Sequence, residues 1–291
     1  MKLWKPILFF FLIFLVTAYG FDWPLKKKRV LSTFGEYSGE GFSPGIHLGG
    51  ENEPVYPIAP GELVFFSELE ENYFSLPYGL GNFMVLWHEG GIQSAYCQLK
   101  SGSIKKSTHV LSSDERIAIL GDTGATIGSN LRLIIMNIEE NEILNPIKNL
   151  IPYYEDTKIP VIQGIYIKRD HIINPLKNNQ VITAGKGEIL INTYDLREDT
   201  IRTWETGPYR ITLFHNGQEV KDLSFDALQE MGNKQVLSMS DYTADVVYKE
   251  RWIYKMGELD FTGGRSHLQV RVRDFAGNTA TEELFIIVEK P

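Results

Sequence analysis

Three short stretches hold the side chains best able to do chemistry: His47-Leu48-Gly49-Gly50-Glu51, Tyr96-Cys97-Gln98-Leu99 and Asn130-Leu131-Arg132. A neutral imidazole from His47 and a carboxylate from Glu51 are both possible metal ligands. Arg132 is not one, because its guanidinium stays protonated and carries no acceptor. It is instead suited to holding an anion. Gln98 and Asn130 are amides, which hydrogen-bond but exchange no proton near neutral pH. Other donors lie nearby in sequence. His88 ends a predicted strand, His109 falls in a polar stretch, and strand alternation sends Cys97 to the face opposite Gln98. All three read as packing or surface residues.

The elements that must position these groups are strands. Helical periodicity is scarce, and short alternating runs bounded by Gly, Pro, Asn and Asp recur along the chain, so the fold class reads as all-β. The first series is Val55 to Phe66, Phe83 to His88, Ile92 to Leu99, Ile117 to Leu120 and Leu131 to Ile138. A longer loop, Ser67 to Leu80, carries Glu68, Glu70 and Glu71. After a polar bridge from Ile151 to Lys158, a second series begins at Gly164 to Ile167 and continues through Glu188 to Asp195, Tyr209 to Phe214, His267 to Arg273 and Phe285 to Val288. Asn216-Gly217 is a hairpin signal. Phe225 to Met231 reads as one short inserted helix. The spacing of this half suggests an immunoglobulin-like sandwich, and Asp274 to Asn278 reads as a turn closed by its own Asp and Asn rather than as a calcium loop.

The motifs, in their order and spacing, resemble the M23 (LytM-type, lysostaphin-like) peptidoglycan endopeptidases. That family carries His-x-x-x-Asp, Tyr-x-His-Leu and His-x-His. Flanking stretches add to the likeness: Phe34-Gly35-Glu36, Ala59-Pro60-Gly61-Glu62-Leu63, Tyr78-Gly79 with Asn82, Val85-Leu86-Trp87-His88, Thr123-Gly124 and Asn145-Pro146. The resemblance implies an antiparallel M23-type sheet with a groove for peptide. It places the family's zinc ligands at His47, Glu51 and Arg132, and its two catalytic histidines at Gln98 and Asn130. Glu51 replaces an aspartate and is one methylene too long, Arg132 repels a dication, and neither amide moves a proton. The expected binding groove comprises His47, Glu51, Tyr96, Gln98, Asn130 and Arg132, and Glu51 is expected to pair with Arg132 where a metal once joined their positions.

Composition narrows the partners. The formal charge is −8, with 29 Lys and Arg against 37 Asp and Glu, which argues against nucleic acid as a partner. The basic run Lys26-Lys27-Lys28-Arg29 reads as a solvated strand edge. Lys2 and Lys5, an apolar run from Pro6 to Val16, and small residues at Ala18 and Gly20 read as an export signal over residues 1–20. With Cys97 as the single cysteine, no internal disulfide can form.

The expected organisation is a signal peptide over 1–20, a degenerate M23-like domain over 21–150, a linker over 151–158 and an Ig-like domain over 159–291. The expected function is that of an exported, periplasmic or envelope-associated pseudo-peptidase without cofactor. It would bind peptidoglycan or an envelope protein such as an amidase, and would touch membrane only through the uncleaved signal. The alternative is a divergent zinc endopeptidase that cleaves peptidoglycan cross-links.

Overall fold

The computed structural model describes residues 20–39, 41–68, 79–107, 109–199 and 202–290. Residues 1–19 of the expected export signal, Glu70 and Glu71 lie outside the described residues. The chain is almost entirely β, with two α-helices of one turn each, Pro146–Asn149 and Ala244–Val247, among the described residues. No helix among these residues is long and apolar enough to cross a membrane.

The first half is built on a nine-stranded sheet. Its main path runs Lys234–Leu237, Ala227–Met231, Glu142–Leu144, Asn130–Asn137, Ile92–Leu99, Asn82–Trp87 and Glu62–Ser67. Ile46–Gly49 also pairs with Asn130–Asn137, and Val30–Ser32 pairs with Ile46–Gly49. The two-residue period decides what each face holds. Ile46, Leu48, Met84, Leu86, Leu131, Leu133 and Ile135 are fully buried on one face. Each such aliphatic side chain contributes roughly 1.5–3 kcal/mol of burial. The alternate residues His47, Arg132, Ile134 and Met136 are only half-buried and form the other face.

Two expectations change here. Val55 to Phe66 is not one strand but two, Pro54–Val55 and Glu62–Ser67. Pro57 and Pro60 lie between them, and a proline cannot donate to a ladder. Phe225 to Met231 is not helical: Ala227–Met231 is a strand that pairs antiparallel with Glu142–Leu144. The open edge of the first sheet overrides local preference, so the second half lends a hairpin, Ala227–Leu237, to the first.

The rest of the second half forms two sheets. One follows the order Ile172–Pro175, Val161–Arg169, Gly185–Glu198, Ile253–Phe261 and Tyr248–Glu250, with Thr203–Thr206 also on Gly185–Glu198. The other runs Val181–Thr183, Thr279–Glu289, Gly264–Arg273, Arg210–His215 and Gln218–Ser224. Asn216 and Gly217 both have positive φ (50° and 81°), as a tight hairpin between Arg210–His215 and Gln218–Ser224 requires.

The two halves share one apolar core. Gly35 is needed at their junction, because its φ is +79° and a Cβ there would come within 2.5 Å of the Phe225 ring. Tyr248 donates its hydroxyl to the Gly35 carbonyl at 2.7 Å. Buried Glu36 accepts from Thr33 N (2.6 Å), Thr33 Oγ1 (2.9 Å) and, across the junction, Gly207 N (3.1 Å). Segment 151–158 is not a free linker either: Trp23 donates to the Pro152 carbonyl at 2.8 Å, and Asp156 is held by Arg197 and Asn278.

Candidate functional site

The half-buried face of the first sheet brings together three side chains from three strands. His47 stands directly opposite Arg132, and Arg132 directly opposite Cys97. Directly opposed residues share a face. Asn130, two residues from Arg132, joins this row through its Oδ1, which lies 3.0 Å from His47 Nδ1. The Asn130 Nδ2 donates to Thr126 Oγ1 and to the Gly128 carbonyl. Its oxygen is therefore the atom turned to His47, so His47 Nδ1 carries the proton and Nε2 keeps its lone pair. Burial lowers the His47 pKa below the usual histidine range, the Asn130 bond partly opposes this, and the Arg132 charge adds to it. The imidazole is neutral at neutral pH.

Cys97 therefore shares the Arg132 face, one residue on from Tyr96, which faces the core opposite Leu133, as alternation along the strand requires. The ladder with Asn130–Asn137 ends at Cys97: Gln98 has φ +67° and no partner in it. Its N–H donates to the Leu80 carbonyl (2.9 Å) and its carbonyl accepts from Gly121 N (3.1 Å). The Cys97 thiol is fully buried and pushed up to about 12 by desolvation, which the Arg132 charge only partly offsets. It is an inert thiol.

Two groups in this region are unsatisfied. Gln98 is 1% exposed, and neither atom of its amide has a hydrogen-bond partner. Arg132 makes no ion pair among the described residues, and its Nε lacks a partner. Burial lowers its pKa.

The expected Glu51–Arg132 pair is not formed. The ladder between Ile46–Gly49 and Asn130–Asn137 ends at Gly49 opposite Asn130. Glu51 lies two residues beyond it, exposed in a bend. It lines a cleft of about 750 Å³ with Lys27, Arg29, Tyr154, Asp199 and Trp204. The basic run is not simply solvated: Arg29 pairs with Asp199 at 2.7 Å and Lys27 approaches Glu53 at 3.7 Å.

Tyr96 is also not a groove residue. It faces the core, fully buried, and accepts from Ile58 N at 2.8 Å. His88 Nδ1 lies 2.9 Å from the Pro60 carbonyl, which can only accept, so Nδ1 carries the proton. Burial keeps His88 neutral, so Nε2 accepts from Ser94 Oγ at 2.7 Å. Ser94 has then used its proton, and Tyr96 donates to it across 3.0 Å. Desolvation raises the Tyr96 pKa. Tyr96→Phe should cost about 1–3 kcal/mol by leaving the Ile58 N–H unpaired, measured by urea unfolding, and should leave ligand binding at Arg132 unchanged.

A zinc ion needs three protein ligands within bonding reach. This face offers one lone pair from His47, a fully buried thiol and a guanidinium that repels a dication, while Glu51 is elsewhere. That donor set does not fit zinc. Among the described residues, the one grouping of three metal-capable side chains is Asp156, Asp195 and Asp274. It already contains a cation: Arg197, 1% exposed, pairs with Asp156 and lies 2.9 Å from Asp195, with the Tyr154 ring 4.6 Å away. Asp274 spends its oxygens on its own turn, accepting from Gly277 N (2.6 Å), Asn278 N (2.8 Å) and Asn278 Nδ2 (2.8 Å). Sequence reasoning found this turn but missed the cluster. The Asp195–Arg197 spacing on one strand was its available signal.

Residues 41–146 match the family model described as peptidase family M23. The chain thus carries an M23-family domain. A second family model, which bears no functional description, matches residues 159–289. No curated protein matches the chain. Among solved structures, the chain is similar to a zinc-containing peptidase from Vibrio cholerae, at 22% identity, TM-score 0.34, covering 40% of this chain and 36% of that one. The chain therefore spans only about a third of that peptidase. It is also similar to the catalytic domain of lysostaphin from Staphylococcus simulans, at 20% identity, TM-score 0.33, covering 38% and 81%. A third likeness is to the SpoIIQ–SpoIIIAH pore-forming complex, at 16% identity, TM-score 0.37, covering 46% and 92%. Likenesses of this size carry no argument about activity.

Proposed function

We propose that this protein is an exported, non-catalytic M23-domain protein that uses the Arg132 face to bind the cell envelope, either peptidoglycan or an envelope protein. The observation that carries the reading is Arg132 itself: a half-buried guanidinium opposite His47 with no ion pair among the described residues. A lone buried cation is costly unless something anionic meets it. Two amides, Gln98 and Asn130, stand where hydrolysis would need proton carriers. The motif order in residues 41–146 supports an envelope role.

The second half serves as an Ig-like accessory domain in this proposal. Its strand order supports that, with one sheet centred on Gly185–Glu198, the other on Gly264–Arg273, and Val181–Thr183 parallel to Thr279–Glu289 along the edge of the second. Export rests on the leader read from residues 1–20.

Purified protein should sediment with isolated peptidoglycan or retain an envelope protein, contain no stoichiometric zinc, and release no fragments from peptidoglycan. A chelator-sensitive hydrolytic activity that persists through repurification would establish the peptidase alternative instead.

A further inference from the structure

The face around Arg132 is closed at one end and open at the other. At the closed end, Asn130 is 4% exposed and hydrogen-bonded to Thr126 and Gly128. Next comes the row His47, Arg132 and Cys97. Two residues further along the strands, about 7 Å away, lies a row without charge. There Ile134 stands opposite Ala95, Ala95 opposite Val85, and Val85 opposite Phe65. Phe65 is 54% exposed and its ring lies 5.5 Å from that of Phe83. Beyond it stand Met136, Gln93 and Trp87.

We propose that this face takes the C-terminal end of a peptide, with the terminal carboxylate on Arg132 and the aliphatic side chains before it on Ile134, Ala95 and Val85. This deepens the non-catalytic binding reading and rests on it. Three features select a chain end. Arg132 is the one cation in these rows, matching a monoanion and the two-point geometry of a carboxylate. The Asn130 end is blocked, so a chain cannot continue past the carboxylate as it would from an Asp or Glu side chain within a strand. The neighbouring row is apolar at the distance of the next side chain along an extended peptide. One acceptor for the ligand backbone is at hand: His47 Nε2 can accept a peptide N–H.

The test is a fluorescence-anisotropy titration of the purified protein with dansyl-Gly-Ala-Ala as free acid and as C-terminal amide, with the alanines in both configurations. The acid should bind, and the amide should bind at least about tenfold more weakly. Arg132→Gln should weaken the acid by a similar factor while leaving the amide unchanged, and Arg132→Lys should recover part of the loss. Melting temperatures of both variants check that they are folded. Equal affinity for acid and amide, no saturable binding of either, or an Arg132→Gln variant that binds the acid normally would each overturn the proposal. Peptidoglycan sedimentation run in parallel separates the two levels. Retention without carboxylate discrimination sinks the chain-end assignment and spares envelope binding. Loss of retention together with the absence of any partner sinks both.

Discussion

Arg197→Met should destabilise the protein by about 3–5 kcal/mol, because it removes the cation from a buried group of carboxylates and leaves them facing one another. Arg197 is 1% exposed and Asp195 fully buried, while Asp156 and Asp274 complete the cluster. For a chain of this size the loss corresponds to a fall in Tm on the order of 10 °C. Urea unfolding is the measurement. Adding Asp195→Asn to Arg197→Met should return part of the loss, since the fully buried carboxyl that must otherwise take up a proton is then gone. A loss under about 1 kcal/mol for Arg197→Met would mean the cluster is hydrated enough to do without its cation.

The same cluster sets a pH dependence. Desolvation, with smaller repulsion from Asp274 and Asp156, raises Asp195 to about 7 against an ordinary 3.8, even though Arg197 pulls it down. The native state therefore holds a proton that the unfolded chain releases. The stabilisation from this group is fully present below pH about 4 and is lost as pH rises through about 7. Asp195→Asn should flatten that part of the stability profile.

Glu36→Ala should be the second large effect, roughly 3 kcal/mol, because it orphans the buried N–H groups of Thr33 and Gly207 together. These two donors belong to different halves, so the loss should include loosened docking, visible as faster proteolysis between the halves. Glu36→Gln keeps an acceptor oxygen and should cost about 1 kcal/mol. Burial raises the Glu36 pKa, and the three donors and Arg251 only partly counter it. Its stabilisation is present below the ordinary glutamate value and declines as pH rises through the raised one. A Glu36→Ala protein as stable as wild type would show that water replaces the carboxylate at no cost.

The sequence alone determined whatever depends on near neighbours along the chain. Alternation located Asn82–Trp87, Ile92–Leu99, Asn130–Asn137 and Gly264–Arg273 but not Ile46–Gly49 or Ile253–Phe261, Asn216-Gly217 marked its hairpin, and the chemistry of Arg132 removed it from any set of metal ligands. The order of the short motifs was enough to expect an M23-type domain in the first half. What only the tertiary structure decided was long-range pairing and exit geometry. Glu51 lies away from Arg132 because the ladder stops at Gly49, and Cys97 stands opposite Arg132 because of the register between Ile92–Leu99 and Asn130–Asn137. Tyr96 faces the core, where Ile58, Ser94 and His88 complete a network that no local pattern announces. Ala227–Met231 became a strand because the first sheet had an open edge to complete, and Asp156, Asp195, Asp274 and Arg197 met only once three separated segments had packed. A period-two pattern tells a residue which face it takes, but the partner across that face is chosen by the whole chain.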